Sequence, residues 1–279
     1  MTPASVPRDA THRSVEARGA TLHVQLAGPE GALPVLLLHA FPLSGRMWAP
    51  QVAALSHRYR LVAPDFRGHG RSDAGDGQYT IELLVDDLLA VLDTLALDTV
   101  VGCGLSMGGY VLLRAVERSP GRFRALVLAD TRTAADDDAG KLARAATIEA
   151  LKREGAAPFA ERFVRRLLGP TTLSSRPDVV AEVTGIIRDN GVTGMCGALL
   201  AMAGRTDTGA VLPRVRVPTL VVVGEEDGLT PPEEARRMAS STPGAELVVI
   251  PRAGHLSSME SPDDFGRGLA TFLEELERG

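Results

Sequence analysis

The chain has 279 residues, of which 44% are hydrophobic and 23% charged, and its formal net charge at pH 7 is −5. This composition is that of an ordinary globular protein able to bury a large core, and it disfavours a disordered chain. An acidic balance without a lysine–arginine cluster also disfavours nucleic acid as a partner, so a small molecule is the expected one.

Two further features bear on location and chemistry. The start, MTPASVPRDATHRS, has no apolar segment of a secretory signal, and no apolar run approaches the length of about 20 residues that crosses a bilayer. We therefore expect a cytoplasmic protein without a membrane partner, whose first dozen residues form a frayed tail. Cys103 and Cys196 lie far apart in apolar surroundings, which predicts buried free thiols rather than a disulfide or a metal site.

Short apolar runs rich in β-branched residues recur along the chain and predict strands. After residues 14–28, whose alternating pattern predicts an antiparallel edge hairpin, the runs are PVLLLHA, YRLVAPDF, DTVVGCGLS, FRALVLAD, PTLVVVGEED and AELVVIPRAGH. Each is apolar over its length, as in parallel strands buried on both faces. Amphipathic helical segments separate them, such as the one that follows the predicted N-cap Thr80. The pattern predicts an α/β fold in which a mostly parallel sheet lies between helices.

The interval from Thr131 to Leu212 interrupts this alternation. It shows no convincing strand pattern, only helical segments near residues 139–153, 157–168, 177–189 and 192–203. We predict a core of residues 1–130 and 213–279, with residues 131–212 inserted as a helical cap between two strands. Such an insertion commonly covers a site at the carboxyl ends of the strands. Beyond it, the stretch TPPE predicts a helix start with Thr230 as the N-cap.

The stretch GLSMG, from Gly104 to Gly108, fits the pattern G-x-S-x-G directly after a predicted strand and before a predicted helix. A serine presented on so sharp a turn leaves no room for side chains two residues before and two residues after it, which accounts for both glycines. The motif therefore predicts that Ser106 is a nucleophile with its hydroxyl exposed at the edge of the sheet.

A serine hydroxyl needs a histidine as base, and the histidine needs a carboxylate to orient it. Asp227 and His255 each follow a strand downstream of the serine, in the expected chain order. Asp130, which ends the strand FRALVLAD, is the alternative acid. We favour Asp227 because it precedes the loop that leads toward His255. Glu225 and Glu226 are predicted to be solvated or structural charges. With histidine as the base, the rate is expected to rise through about pH 6 to 7.

Acyl transfer develops a negative oxygen that needs preset backbone N–H donors. The amide of Met107, at the start of the helix after the serine, is one predicted donor. The amide of Phe41, after the strand PVLLLHA, is the other. We also predict an apolar substrate pocket, which favours acyl or aryl esters over charged substrates. Its predicted lining residues are Met195, Leu199, Met202, Leu229 and Leu256.

From about residue 20 to 277 the chain resembles the α/β-hydrolase superfamily. The motifs HAFPLS, DFRGHGRSD, GLSMGGYV, GEEDGLTPP and AGHLSSMESPDDF occur in the order typical of bacterial carboxylesterases, of enol-lactonases of the 3-oxoadipate type and of cofactor-free perhydrolases. The resemblance implies an eight-stranded, mostly parallel sheet with a helical cap. It also implies a triad of Ser106, His255 and Asp227, oxyanion amides at Phe41 and Met107, and no metal or organic cofactor.

Four positions bear on what the resemblance implies. Ala40 stands where the superfamily usually has glycine, and its methyl group bears on the position of the Phe41 amide. Pro42 is a feature that in relatives accompanies the use of hydrogen peroxide in place of water. Enol-lactonase action requires a group that binds a substrate carboxylate, for which Arg132 and Arg205 are the candidates.

These observations predict a serine hydrolase that cleaves short-to-medium acyl or aryl esters, lactones included, through an acyl-enzyme. An enol-lactonase or a perhydrolase with the same triad is an alternative, as is a ligand-binding protein of this fold without catalysis. Carbon–carbon hydrolases and hydroxynitrile lyases also use such a triad. The natural substrate and the oligomeric state are not determined by the sequence.

Overall fold

A computed structural model describes residues 10–278, so residues 1–9 and 279 lie outside it. Most of the predicted N-terminal tail falls outside the described residues. The prediction is wrong for Thr11 and His12, which belong to the first strand and pair with the second. The alternating pattern of residues 14–28 thus extends a few residues further toward the N-terminus than expected.

Eight strands form one sheet within the described residues, and it is mostly parallel as predicted. Its order is β1-β2-β4-β3-β5-β6-β7-β8, and only the pairs β1–β2 and β2–β4 are antiparallel. The strands are β1 (Thr11–Ala17), β2 (Ala20–Ala27), β3 (Pro34–Leu38), β4 (Arg60–Pro64), β5 (Val100–Leu105), β6 (Phe123–Ala129), β7 (Thr219–Gly224) and β8 (Glu246–Ile250). Because β5, β6, β7 and β8 are parallel neighbours, the residues that follow them emerge at one edge of the sheet.

Helices connect the strands of the sheet and flank it. Those outside the segment between β6 and β7 are α1 (Ala49–Leu55), α2 (Ile81–Thr94), α3 (Met107–Arg118), α9 (Pro232–Ser241), α10 (Ser257–Glu260) and α11 (Pro262–Arg278). The predicted N-cap of α2 is confirmed, since the Thr80 side chain accepts a hydrogen bond from the backbone N–H of Leu83 at 3.0 Å. Short 3₁₀ turns lie at Gly45–Trp48, Pro120–Arg122 and Gly209–Arg214.

Five helices lie between β6 and β7: α4 (Asp138–Glu154), α5 (Ala156–Leu167), α6 (Pro170–Ser175), α7 (Pro177–Arg188) and α8 (Val192–Ala203). Four of them correspond to predicted helices with bounds that agree within about one residue, and the short α6 was not predicted. The division into a core and a cap at residues 130/131 and 212/213 stays a prediction. These helices pack on one another, α4 against α8 and α5 against α7.

The strands from β3 to β7 are buried along almost their whole length, as their continuous apolar sequences predict. The prediction is wrong for β8, where Leu247 and Val249 are 36% and 37% exposed. The reason is its position, because β8 is the edge strand of the sheet and pairs only with β7. A run of apolar residues does not by itself distinguish an edge strand from a central one.

Cys103 and Cys196 are buried and free, which confirms that prediction. Within residues 10–278 no helix combines the length and the apolar character that crossing a membrane requires.

Candidate active site

Ser106 occupies a strained turn between β5 and α3. Its φ of 54° and ψ of −112° lie outside the usual regions for a non-glycine residue. A Cβ on Gly104 would lie 2.5 Å from the Gly108 carbonyl oxygen, and a Cβ on Gly108 would lie 2.7 Å from the Leu38 carbonyl carbon in β3. A side chain at either glycine of the motif would therefore clash with backbone atoms. This is the steric reason for the two glycines that the sequence analysis gives.

The side chains of Ser106, His255 and Asp227 form a line of hydrogen bonds at the edge of the sheet. Oγ of Ser106 lies 2.8 Å from Nε2 of His255, and Nδ1 of His255 lies 2.8 Å from Oδ2 of Asp227. All three residues are buried. This line of hydrogen bonds leaves Nε2 of a neutral His255 free to accept the serine proton.

Thr230 contributes a contact that the sequence analysis assigned elsewhere. Helix α9 begins at Pro232 with Pro231 as its N-cap, so the predicted capping role of Thr230 is wrong. Its hydroxyl instead donates to Oδ2 of Asp227 at 2.6 Å and lies 3.2 Å from Nδ1 of His255. The N–H groups of Leu229 and Thr230 donate to Oδ1 of the same carboxylate at 2.8 and 2.9 Å. Both carboxylate oxygens of Asp227 are therefore hydrogen-bonded by groups of the short loop after β7.

The protonation of the pair follows from these contacts. Burial lowers the pKa of His255, but the charge of Asp227 and its hydrogen bond raise it by more, so the net pKa lies above the ordinary value of 6.5. Burial raises the pKa of Asp227, whereas His255 and Thr230 together bring it below its usual value. Both shifts have the same physical cause, since the pair favours an imidazolium beside a carboxylate.

Asp130, the alternative acid, lies behind this pair and does not contact His255 in the hydrogen bonds of the described residues. Its carboxylate accepts from the backbone N–H of Gly224 and from the Ser257 hydroxyl. Burial, followed by the neighbouring charge of Asp227, raises the pKa of Asp130 well above its usual value. The geometry thus favours Asp227 as the acid that orients the histidine.

The two predicted oxyanion amides lie beside the serine. Met107 is the first residue of α3 and follows Ser106 directly. Phe41 lines the same cavity as Ser106 and His255, and the peptide bond between Phe41 and Pro42 is cis. Among the described residues, neither the Phe41 nor the Met107 N–H donates to a protein acceptor outside regular secondary structure. Their role as oxyanion donors stays a prediction.

The cavity in front of Ser106 has a volume of about 260 Å³. Leu199, Met202 and Leu229 line it, as predicted. Met195 and Leu256 do not, since both are completely buried in the hydrophobic core. Helix α8 is buried around most of its circumference, so an apolar stripe does not identify which of its residues reach the cavity.

The expected apolar character of the pocket is wrong for part of its lining. Arg132, Arg144 and Arg166 line the cavity together with Asp136. Arg205, the other arginine that the sequence suggested, does not line the cavity and is buried behind it, with its guanidinium 4.3 Å above the ring of Tyr110. No group of three or more His, Cys, Asp or Glu side chains within residues 10–278 is placed to hold a metal ion.

Residues 34–262 match the family model described as alpha/beta hydrolase fold. This chain belongs to the α/β-hydrolase family. The 3-oxoadipate enol-lactonase 1 of Acinetobacter baylyi is 30% identical to this hydrolase over 260 residues, which are 93% of this chain and 96% of that protein.

Solved structures agree with this assignment. A thermophilic esterase from Thermogutta terrifontis superposes with a TM-score of 0.91 at 35% identity, covering 96% of this hydrolase and 99% of that chain. The enol-lactonase from Burkholderia xenovorans LB400 superposes with a TM-score of 0.87 at 30% identity, covering 94% of this hydrolase and all of that chain.

The loop that carries His255 is hydrogen-bonded to the segment between β6 and β7, which the sequence analysis did not foresee. The N–H of His255 donates to the carbonyl of Leu167 at 3.0 Å, at the end of α5. Buried Glu260 accepts from the N–H of Gly169 at 2.8 Å and from that of Leu256 at 3.0 Å. A Cβ on Gly254 would lie 2.7 Å from the Cα of Gly169, so the two chain segments touch through their backbones.

The two glutamates beside the acid have the structural roles that the sequence predicts. Glu226 accepts a hydrogen bond from the backbone N–H of Thr171 at 2.9 Å and a second one from its hydroxyl. Glu225 accepts from the backbone N–H of Arg252 at 3.1 Å. Glu226 thus forms another link between the loop after β7 and helix α6.

Proposed function

We propose that this α/β hydrolase is a serine hydrolase that cleaves small carboxylic esters, lactones included, through an acyl-enzyme. The observation that carries the proposal is the continuous line of hydrogen bonds from Ser106 through His255 to Asp227, with 2.8 Å at each step. Three groups in this order are what nucleophilic catalysis by a serine requires.

In the first half of the proposed reaction, Oγ of Ser106 attacks the ester carbonyl carbon while Nε2 of His255 takes the hydroxyl proton. The carbonyl oxygen becomes negative and accepts hydrogen bonds from the N–H groups of Phe41 and Met107. Collapse of this intermediate breaks the bond to the alcohol oxygen, which leaves with the proton from Nε2. The products of this half are the free alcohol and the acyl ester of Ser106.

In the second half, a water molecule attacks the acyl carbon and passes its proton to Nε2 of His255. The bond to Oγ of Ser106 breaks, Oγ recovers the proton from His255, and the carboxylic acid is released. Asp227 keeps Nδ1 of His255 protonated throughout and stabilises the imidazolium that forms twice in each cycle. Each turnover therefore consumes one water and needs no other reactant.

The cavity limits the size of the substrate. Its volume of about 260 Å³ lies below the range of about 300–1,000 Å³ typical of sites for drug-sized ligands. Small esters therefore fit, and a long acyl chain would have to extend out of the cavity.

The test is the hydrolysis of p-nitrophenyl acetate, butyrate and octanoate by the wild type and by Ser106→Ala. We expect the variant to lose turnover by a factor on the order of 10⁴ or more. Alanine keeps the Cβ and the strained backbone, so its melting temperature should stay close to that of the wild type. Ser119→Ala, at the other end of α3, is the matched control and should retain activity.

The pH profile supplies an independent check. The base must be neutral, and its raised pKa places the rise of kcat/KM with pH above about 6.5, higher than the sequence alone suggests. Turnover that survives in Ser106→Ala, or a rate independent of pH between 5 and 9, would refute the proposal.

A further inference from the structure

Guanidinium groups are frequent in the lining of the active-site cavity. Arg132, Arg144 and Arg166 line it, and Asp136 is the only carboxylate among the described residues that line it. Arg144 belongs to α4 and Arg166 to α5, whereas Arg132 follows β6. Three separate segments therefore bring positive charge to the same space.

The single carboxylate does not balance these charges. Oδ1 of Asp136 lies 2.9 Å from Nη2 of Arg132 and 2.8 Å from Nη1 of Arg205, and both its oxygens also accept from Arg144. Burial raises the pKa of Asp136, but the hydrogen bond from Arg144 and the charges of Arg144 and Arg205 lower it below its ordinary value. Asp136 is thus a carboxylate with one negative charge among three guanidinium groups, which leaves two positive charges uncompensated.

Arg166 adds a fourth cation. Within residues 10–278 it forms no ion pair, and its guanidinium lies 5.5 Å from the centre of the Phe163 ring. Nε of Arg132 is buried and has no hydrogen-bond partner among the described residues. Among the described residues, the arginine side chains of the lining therefore include an N–H group without a protein acceptor as well as excess positive charge.

Such a concentration of positive charge is unfavourable unless more negative charge lies beside it. Like charges repel strongly where water is partly excluded, and the side chains of Arg132 and Arg144 are 31% and 19% exposed. A second anion in the cavity would compensate the excess positive charge and accept hydrogen bonds from the guanidinium groups.

We infer that the substrate of this site carries a carboxylate besides its ester or lactone group, and that Arg132, Arg144 and Arg166 bind this carboxylate while the reacting carbonyl lies at Ser106. The inference rests on the proposed function and adds a substrate class to it. A carboxylate is the expected anion because its planar pair of oxygens matches the guanidinium fork and because it fits a small cavity.

The test compares two esters that differ only in charge, monoethyl adipate and the neutral ester in which its carboxylate is replaced by a primary amide. Hydrolysis is followed in a pH-stat at low salt. We expect the wild type to prefer the anionic ester by at least about tenfold in kcat/KM, and this preference to shrink in 0.5 M NaCl because salt screens the attraction. Acetate esters of short hydroxy acids show whether the acyl or the alcohol side carries the carboxylate.

Arg166→Gln and Arg144→Gln should each reduce the preference for the anionic ester about tenfold, mainly through KM, and Arg166→Lys should restore part of it. Arg165→Gln is the matched control, because Arg165 is exposed on the same helix, does not line the cavity and changes the net charge equally. It should leave the preference unchanged. Thermal melts of each variant identify any loss of folding. Arg166 makes no ion pair with any described residue, so Arg166→Gln remains informative if Arg144→Gln unfolds.

Binding of adipate to the folded Ser106→Ala protein, measured by calorimetry, tests the anion site without catalysis. Adipate should bind, and the Arg166→Gln exchange in the same background should weaken it about tenfold. If neutral esters are hydrolysed but the anionic ester is not preferred and adipate does not bind, the inference is wrong while the proposed function stands. If adipate binds but neither ester is hydrolysed, the proposed function fails and the anion site stands.

Discussion

Exchange of Thr230 for valine removes one hydroxyl from the contact between Asp227 and His255 and nearly conserves the side-chain shape. The lost hydrogen bond joins the hydroxyl to Oδ2 of Asp227 at 2.6 Å, and both residues are buried. Hydrogen bonds to charged groups contribute about 1.5–3 kcal/mol. We therefore expect the free energy of unfolding at pH 7 to fall by about this amount in Thr230→Val.

The same exchange should change the titration of the base. Without the Thr230 hydroxyl, the negative charge on Oδ2 is compensated at that oxygen by His255 alone, so the carboxylate holds the imidazolium more strongly. The pKa of His255 should rise further, and the increase of kcat/KM with pH should move to higher pH. The variant should consequently be less active than the wild type at pH 7 and recover part of the difference at pH 9.

The assay is the pH profile of p-nitrophenyl acetate hydrolysis for the wild type, Thr230→Val and Thr230→Ser, combined with urea unfolding. Serine keeps the hydroxyl, so Thr230→Ser should follow the wild-type profile. An unchanged profile in Thr230→Val, or the same shift in Thr230→Ser, would show that the hydroxyl does not tune the base.

Two other predictions concern the surroundings of the site. Gly254→Ala should lower kcat at least about 100-fold, because the new Cβ would lie 2.7 Å from the Cα of Gly169 and displace the histidine loop, whereas Gly266→Ala, with open space around it, should not. Burial, followed by the charge of His39, lowers the pKa of His69 to about 3. His69 takes up a proton near pH 6.5 in the unfolded chain but stays neutral in the folded protein down to about pH 3. Below pH 6.5 the free energy of unfolding should therefore fall by about 1.4 kcal/mol per pH unit on account of His69. Urea titrations of His69→Gln should show a dependence of this free energy on pH that is weaker by the same amount.

The sequence predicts the nucleophile and its partners because each carries a local signal. The glycines around Ser106 are needed for a turn whose steric limits act within five residues, and Asp227 and His255 follow strands recognisable from their apolar runs. Parallel strands then bring the three residues to one edge of the sheet, so residues far apart in the sequence become neighbours in the structure.

Other predictions fail where one local pattern is compatible with two environments. The stretch at Thr230 looks like a helix start, but Asp227 lies close enough to take the hydroxyl. The apolar run of β8 predicts a central strand, but β8 lies at the edge of the sheet, where Leu247 and Val249 are partly exposed. The stripe on α8 contains Met195 as well as Leu199, and only packing decides which of them reaches the cavity.

By itself, the sequence predicted the order of the strands and of most helices, and it indicated the family, because backbone sterics and apolar periodicity act over short distances along the chain. The tertiary structure alone decided the electrostatics of the cavity. The sequence suggests Arg132 but gives no sign of Arg144 or Arg166, and these two join Arg132 in one cavity lining only when α4 and α5 pack over Ser106. Coulomb interactions depend on distance in space and on the exclusion of water, and both are products of packing.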